Sequence, residues 1–100
     1  MINIARNNGR IELSGVLDHA SVSQVLAQSA DWFGSDAVHI SLQGVTQSNS
    51  AGVALLLEWQ KIARQKQLTI QYHALPEQML NIARAYGVDK LLPITEGRPE

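Results

Sequence analysis

The sequence predicts one small α/β domain, a mixed and mostly parallel β-sheet of four to five strands with three to four helices packed on it. Three observations predict it. Its 100 residues are enough for one hydrophobic core and too few for two domains. Short runs alternating apolar and polar residues recur between longer runs with helical spacing. The two kinds of run also take turns along the chain, the order in which crossover helices join parallel strands.

The elements follow in order. Ile2 and Ile4 alternate with polar neighbours, as do Ile11 and Leu13, and Asn8-Gly9 between them suits a type I′ turn, whose two central residues need positive φ. This predicts a hairpin with strands over 2–6 and 10–16. Gly15 and Asp18 read as opening a loop, and Ser21 as the N-cap of a helix over 21–33 whose Val22, Val25, Leu26, Ser29 and Phe33 share one side. Gly34-Ser35-Asp36 ends that helix. Val38, Ile40 and Leu42 alternate with His39 and Ser41 as a third strand over 37–42, and Gly44 to Ser50 reads as a polar loop. A long helix over 50–66 comes next, then a fourth strand over 68–73 built on Leu68, Ile70 and Tyr72. Pro76 suits the first position of a last helix that runs to Tyr86 and stops at Gly87. Leu91-Leu92-Pro93-Ile94 reads as a short edge segment, since proline is tolerated where an N–H need not pair. The domain is expected over 1–95, with a frayed tail over 96–100.

Composition narrows the function. There is no cysteine, so disulfides, thiolate metal sites and a thiol nucleophile are excluded, and a reducing compartment fits. The net charge of −1 supplies no basic field for nucleic acid, and the five aromatics are too scattered to form a base-stacking platform. The start of the chain lacks the basic and apolar regions of a signal peptide, and no apolar run approaches the ~20 residues of a membrane span. A soluble, cytoplasmic protein is expected, touching a membrane only through a partner.

Catalytic motifs are missing. There is no P-loop, no GxGxxG and no GxSxG. His19, His39 and His73 fall in three different elements without ligand spacing, and His39 and His73 read as solvent-facing strand residues. Asp18, His19 and Ser21 allow a triad on paper, but loop polarity and helix capping account for the same residues. No enzyme activity, metal or cofactor is expected.

The informative stretch is Ser48-Asn49-Ser50, three small polar residues leading straight into the long helix. One of them is needed as an N-cap; capping does not require all three. At about 100° per residue, Gly52, Leu55, Leu56, Trp59, Ile62 and Ala63 form a core stripe. Ser50, Val53, Ala54, Leu57, Lys61 and Arg64 fall opposite and are expected to face water. A small apolar patch around a hydroxyl, with basic residues one turn beyond, reads as a docking surface. The predicted partner-binding set is Ser48, Asn49, Ser50, Val53, Ala54, Leu57, Lys61 and Arg64.

Here the chain resembles a family. The segment from Ile40 to Leu56, with Ser48-Asn49-Ser50-Ala51-Gly52-Val53 at its centre, is similar to the signature of STAS domains, in which a strand and loop lead to Asp-Ser/Thr-x-Gly-Leu at a helix start. The resemblance covers nearly the whole chain in element order. It implies one of two roles, both placing the functional hydroxyl at Ser50. In anti-sigma factor antagonists, the hydroxyl is phosphorylated by a kinase that is also the anti-sigma factor. In the MlaB-like subunit of the Mla phospholipid ABC transporter, the domain binds and stabilises the cytoplasmic ATPase. Ala54-Leu55-Leu56-Leu57-Glu58-Trp59, Ile62-Ala63-Arg64, and Ile82 to Gly87 followed by Leu91-Leu92-Pro93 resemble the second branch. The usual Asp before the hydroxyl is Asn49 here, which weakens a phospho-switch and leaves docking intact. The resemblance thus implies an adaptor peripheral to the inner membrane through an ABC ATPase subunit, with phosphorylation at Ser50 by an anti-sigma factor kinase as the alternative. A weak homodimer of the isolated protein through the same patch is compatible with either.

Overall fold

The computed structural model describes residues 2–7, 10–34 and 37–95. β1 (Ile2–Asn7) and β2 (Arg10–Leu17) form the antiparallel hairpin, with Ile4 opposite Leu13 on the core side. After β2 come α1 (His19–Gln28) with a 3₁₀ turn (Ser29–Trp32), β3 (Ala37–Ser48), α2 (Ser50–Gln65), β4 (Thr69–His73), α3 (Glu77–Ala85), a second 3₁₀ turn (Asp89–Leu91) and β5 (Ile94–Thr95). The sheet order is β1-β2-β3-β4-β5, antiparallel at the first pair and parallel at the other three. This is the predicted single α/β domain. The predicted turn at Asn8-Gly9, the helix stop at Ser35-Asp36 and the tail 96–100 lie outside the described residues.

Each parallel strand lies next to its predecessor, and such crossovers are right-handed. Every crossover helix therefore lands on the same face of the sheet. Ile11, Leu13, Val38, Ile40, Leu42, Ile70 and Tyr72 point toward the helices and are buried in one cluster. The opposite face carries Asn3, Ala5, Glu12, His39, Gln43 and His73, with no layer over it among the described residues. α2 lies in the middle of the helical layer, touching α1 on one side and α3 on the other.

Trp59, Ser29 and Tyr72 have their polar groups paired inside the core. The indole N–H of Trp59 donates to Ser29 Oγ at 2.9 Å, and that hydroxyl donates to the Leu26 carbonyl at 2.7 Å. Trp32 packs on Trp59 with ring centroids 5.4 Å apart, tying the end of α1 to the middle of α2. The Tyr72 hydroxyl donates to the Leu56 carbonyl, and burial pushes its pKa far up, so it stays protonated.

Several sequence expectations are corrected. β2 runs on through Gly15, where a φ of 107° and a register irregularity mark a bulge instead of a loop. β3 continues to Ser48, because β2 stays paired beside it as far as Leu17 opposite Ser48. Beyond Ser41, Leu42, Val45 and Ser48 are the buried positions; the bulges stretch the spacing from two to three and hide the strand. The N-cap of α1 is Asp18, not Ser21. α1 proper ends at Gln28, with the 3₁₀ turn completing the predicted segment. Pro76 is the N-cap of α3, one place before its first helical residue. Gly87, with φ of 73°, follows Tyr86 at the C-cap as expected.

Candidate functional site

β2 and β3 end side by side, and a helix starts from each end. The two starts are linked by the Asn49 N–H, which donates to the Leu17 carbonyl at 3.2 Å. At the first start, Asp18 Oδ1 accepts the Ser21 N–H at 3.0 Å, and Ser21 Oγ accepts the Asp18 N–H at 2.9 Å. The Ser21 hydroxyl also donates to the Val16 carbonyl at 2.7 Å. The Ser21 N–H first, and then the Ser21 hydroxyl 3.1 Å from Oδ1, hold the Asp18 carboxyl below its usual range. The triad arrangement is thus a closed cap.

At the second start the three small polar residues divide the work. Ser48 is buried at 7% exposure; its N–H donates to Gln78 Oε1 at 2.9 Å and its hydroxyl to the Asn49 carbonyl at 3.1 Å. A Cβ on Gly52 would collide with the Ser48 hydroxyl and press on Met79 and Leu17, so this close approach needs glycine. Asn49 is the N-cap, its Oδ1 accepting the Ala51 N–H at 2.9 Å. Ser50 is half-buried at the first helical position, and its side chain has no hydrogen bond among the described residues.

Two members of the predicted partner face are therefore inward residues. Ser48 is a packed strand end, and Val53 is 2% exposed within the core. The middle position of α2 explains Val53: with α1 and α3 on its flanks, more of its circumference is covered than in a two-layer domain with one open helix face. What remains open is a stripe along α2, flanked by the exposed Glu58 and Gln65. Ser50, Ala54, Leu57, Lys61 and Arg64 follow one another at spacings of four and three, with Ala54, Lys61 and Arg64 exposed and Leu57 half-buried. Asn49 is exposed at its head.

Three features were out of reach of the sequence. Gln78, from the first turn of α3, reaches back to cap the end of β3. Leu91 joins Leu57, Gln60, Lys61 and Arg64 around a groove of about 240 Å³. On the uncovered sheet face, His39 Nδ1 lies 2.9 Å from His73 Nε2, with the rings stacked at 5.2 Å. Both are half-buried, so neither simply faces solvent. His39 pairs with Gln71 and Ser41 with His73, which makes the two imidazoles diagonal neighbours on one face. One ring nitrogen of that bond must be bare. Partial burial, then the charges of Arg10 and His39, lower the pKa of His73. The helical spacing within α2 is readable from sequence; the register that joins β3 to β4 is not.

The family profile described as "Mlab, STAS domain" matches residues 1–93. The chain belongs to this STAS domain family. No curated protein matches the sequence. Among solved structures, the anti-sigma factor antagonist SpoIIAA in its unphosphorylated form superposes with a TM-score of 0.73 at 14% identity, covering 97% of this chain and 90% of that one. An anti-sigma factor antagonist from Mycobacterium paratuberculosis gives 0.62 at 21% identity, covering 94% and 83%. At such identities the likeness is one of fold. Among the described residues of this STAS domain, no three His, Cys, Asp or Glu side chains gather as a metal site. No described helix is long and apolar enough to cross a membrane.

Proposed function

We propose that this STAS domain is a non-enzymatic adaptor that binds and stabilises the ATPase subunit of a phospholipid-transporting ABC system at the cytoplasmic side of the inner membrane. The observation that carries the reading is the open stripe of α2, a serine hydroxyl with no hydrogen bond among the described residues, followed by Ala54 and Leu57 and then by Lys61 and Arg64. Family membership across residues 1–93 supports it. The contact surface on this chain is Asn49, Ser50, Ala54, Leu57, Lys61 and Arg64. An adaptor that binds only the folded ATPase raises its stability by mass action, by about 2.7 kcal/mol at a hundredfold excess over Kd.

Co-expression with an ABC ATPase, followed by affinity purification, tests this. The wild-type chain retains the ATPase, whereas Ala54→Glu and Leu57→Asp lose it; Ala54→Glu, at an exposed position, keeps the wild-type thermal melt. Retention by both variants removes the stripe from the interface.

The second reading is an anti-sigma factor antagonist switched by phosphorylation at Ser50, and the fold likeness to two such antagonists favours it. A phosphate would add roughly −1.5 to −2 charges beside an apolar stripe. Asn49 stands against it, since the carboxylate usual before the hydroxyl is missing. Intact-mass measurement of protein purified from its own cells separates the two. A condition-dependent phosphate at Ser50 supports the switch, and its absence under all growth conditions supports the adaptor.

A further inference from the structure

We infer that the groove between the second half of α2 and the 3₁₀ turn at Asp89–Leu91 receives an acidic, apolar segment of the partner protein. The inference rests on the adaptor reading and adds the chemistry of a second contact beside Ser50. The groove, lined by Leu57, Gln60, Lys61, Arg64 and Leu91, holds about 240 Å³. That is below the ~300–1,000 Å³ of small-molecule sites and suits one or two side chains of a peptide.

Its wall chemistry specifies the occupant. Leu91 is 59% exposed and, with Tyr86 at 64%, is one of two large hydrophobic residues so open among the described residues. Leu57 faces the same groove and lies on the Ser50 stripe, so groove and stripe are continuous. Lys61 and Arg64 form no ion pair; Arg6 with Asp31 is the one salt bridge among the described residues. Glu58, Glu77 and Asp89 leave both cations unpaired among the described residues. A segment offering a leucine-sized side chain to Leu57 and Leu91 and carboxylates to Lys61 and Arg64 meets both requirements.

The test measures affinity for the purified ATPase by isothermal titration, at about 50 and about 300 mM salt. Leu91→Asp and Lys61→Glu/Arg64→Glu are each expected to weaken binding about tenfold or more. Salt is expected to weaken the wild-type complex more steeply than Lys61→Gln/Arg64→Gln. An array of overlapping peptides from the ATPase is expected to retain the chain on acidic, apolar segments. If the groove variants bind as wild type while Ala54→Glu does not, the groove assignment falls and the adaptor reading stands. If Ala54→Glu also binds as wild type, the stripe leaves the interface too, and failure of the wild-type chain to bind the ATPase overturns the adaptor reading. Retention only on basic or neutral peptides, or sedimentation showing that Leu91 closes a homodimer instead, also overturns the groove assignment.

Discussion

α1 and α2 start at neighbouring strand ends and carry serines with opposite fates. At α1, Ser21 is buried; its hydroxyl accepts the Asp18 N–H and donates to the Val16 carbonyl. At α2, capping is left to Asn49 and strand packing to Ser48, and Ser50 keeps a hydroxyl with no bond among the described residues. The first arrangement is closed and structural. The second separates the duties of capping, packing and presentation among three residues, so that one polar group is available to another molecule without cost to the fold.

Substitutions test this separation. Gly52→Val should be the most damaging, since the added side chain meets Ser48, Met79 and Leu17; overpacking of this kind costs about 3 kcal/mol, readable by urea unfolding. Ser21→Ala should follow at about 2 kcal/mol in the same assay, because it strands the Val16 carbonyl and the Asp18 N–H. Asn49→Ala removes one cap bond, and a loss of about 1 kcal/mol is expected. Ser50→Ala should change stability by less than about 0.5 kcal/mol while altering partner affinity; a loss as large as that of Ser21→Ala would abolish the contrast.

The smallest effect is on pH. The pKa of His73 is lowered in the fold, so the unfolded chain takes up its proton first as pH falls. Its contribution is complete above the usual histidine value of about 6.5 and is lost as pH drops through that value toward the lowered one. Urea unfolding at about pH 7.5 and about pH 5 should show this loss in the wild type, and less of it in His73→Gln. Asp18 acts with the same sign in a lower window, its contribution fading as pH falls below the carboxylate range.

Much of the architecture was legible because alternation and helical spacing are local signals. Val38, Ile40 and Leu42 marked β3, and the apolar residues of α2 placed that helix over Ser50–Gln65 against an expected 50–66. Gly44 to Ser50 read as a loop because bulges stretch the buried spacing as far as Ser48 and the outward side chains are polar. Val53 read as exposed because a helical wheel shows one helix and cannot show its neighbours. The stripe of α2 was legible in outline, through Ser50, Ala54, Leu57, Lys61 and Arg64. Gln60 and Leu91 were not, since the groove exists only once the turn after α3 is brought beside α2.

The one-sided packing has a practical corollary. Because all three crossovers lie over the same surface, the strand wall bearing Gln43 looks away from α2. A fluorophore or immobilisation handle attached there reports on events at the helices without standing in their way, and any companion resting on the bare strands would leave the serine within reach of its own.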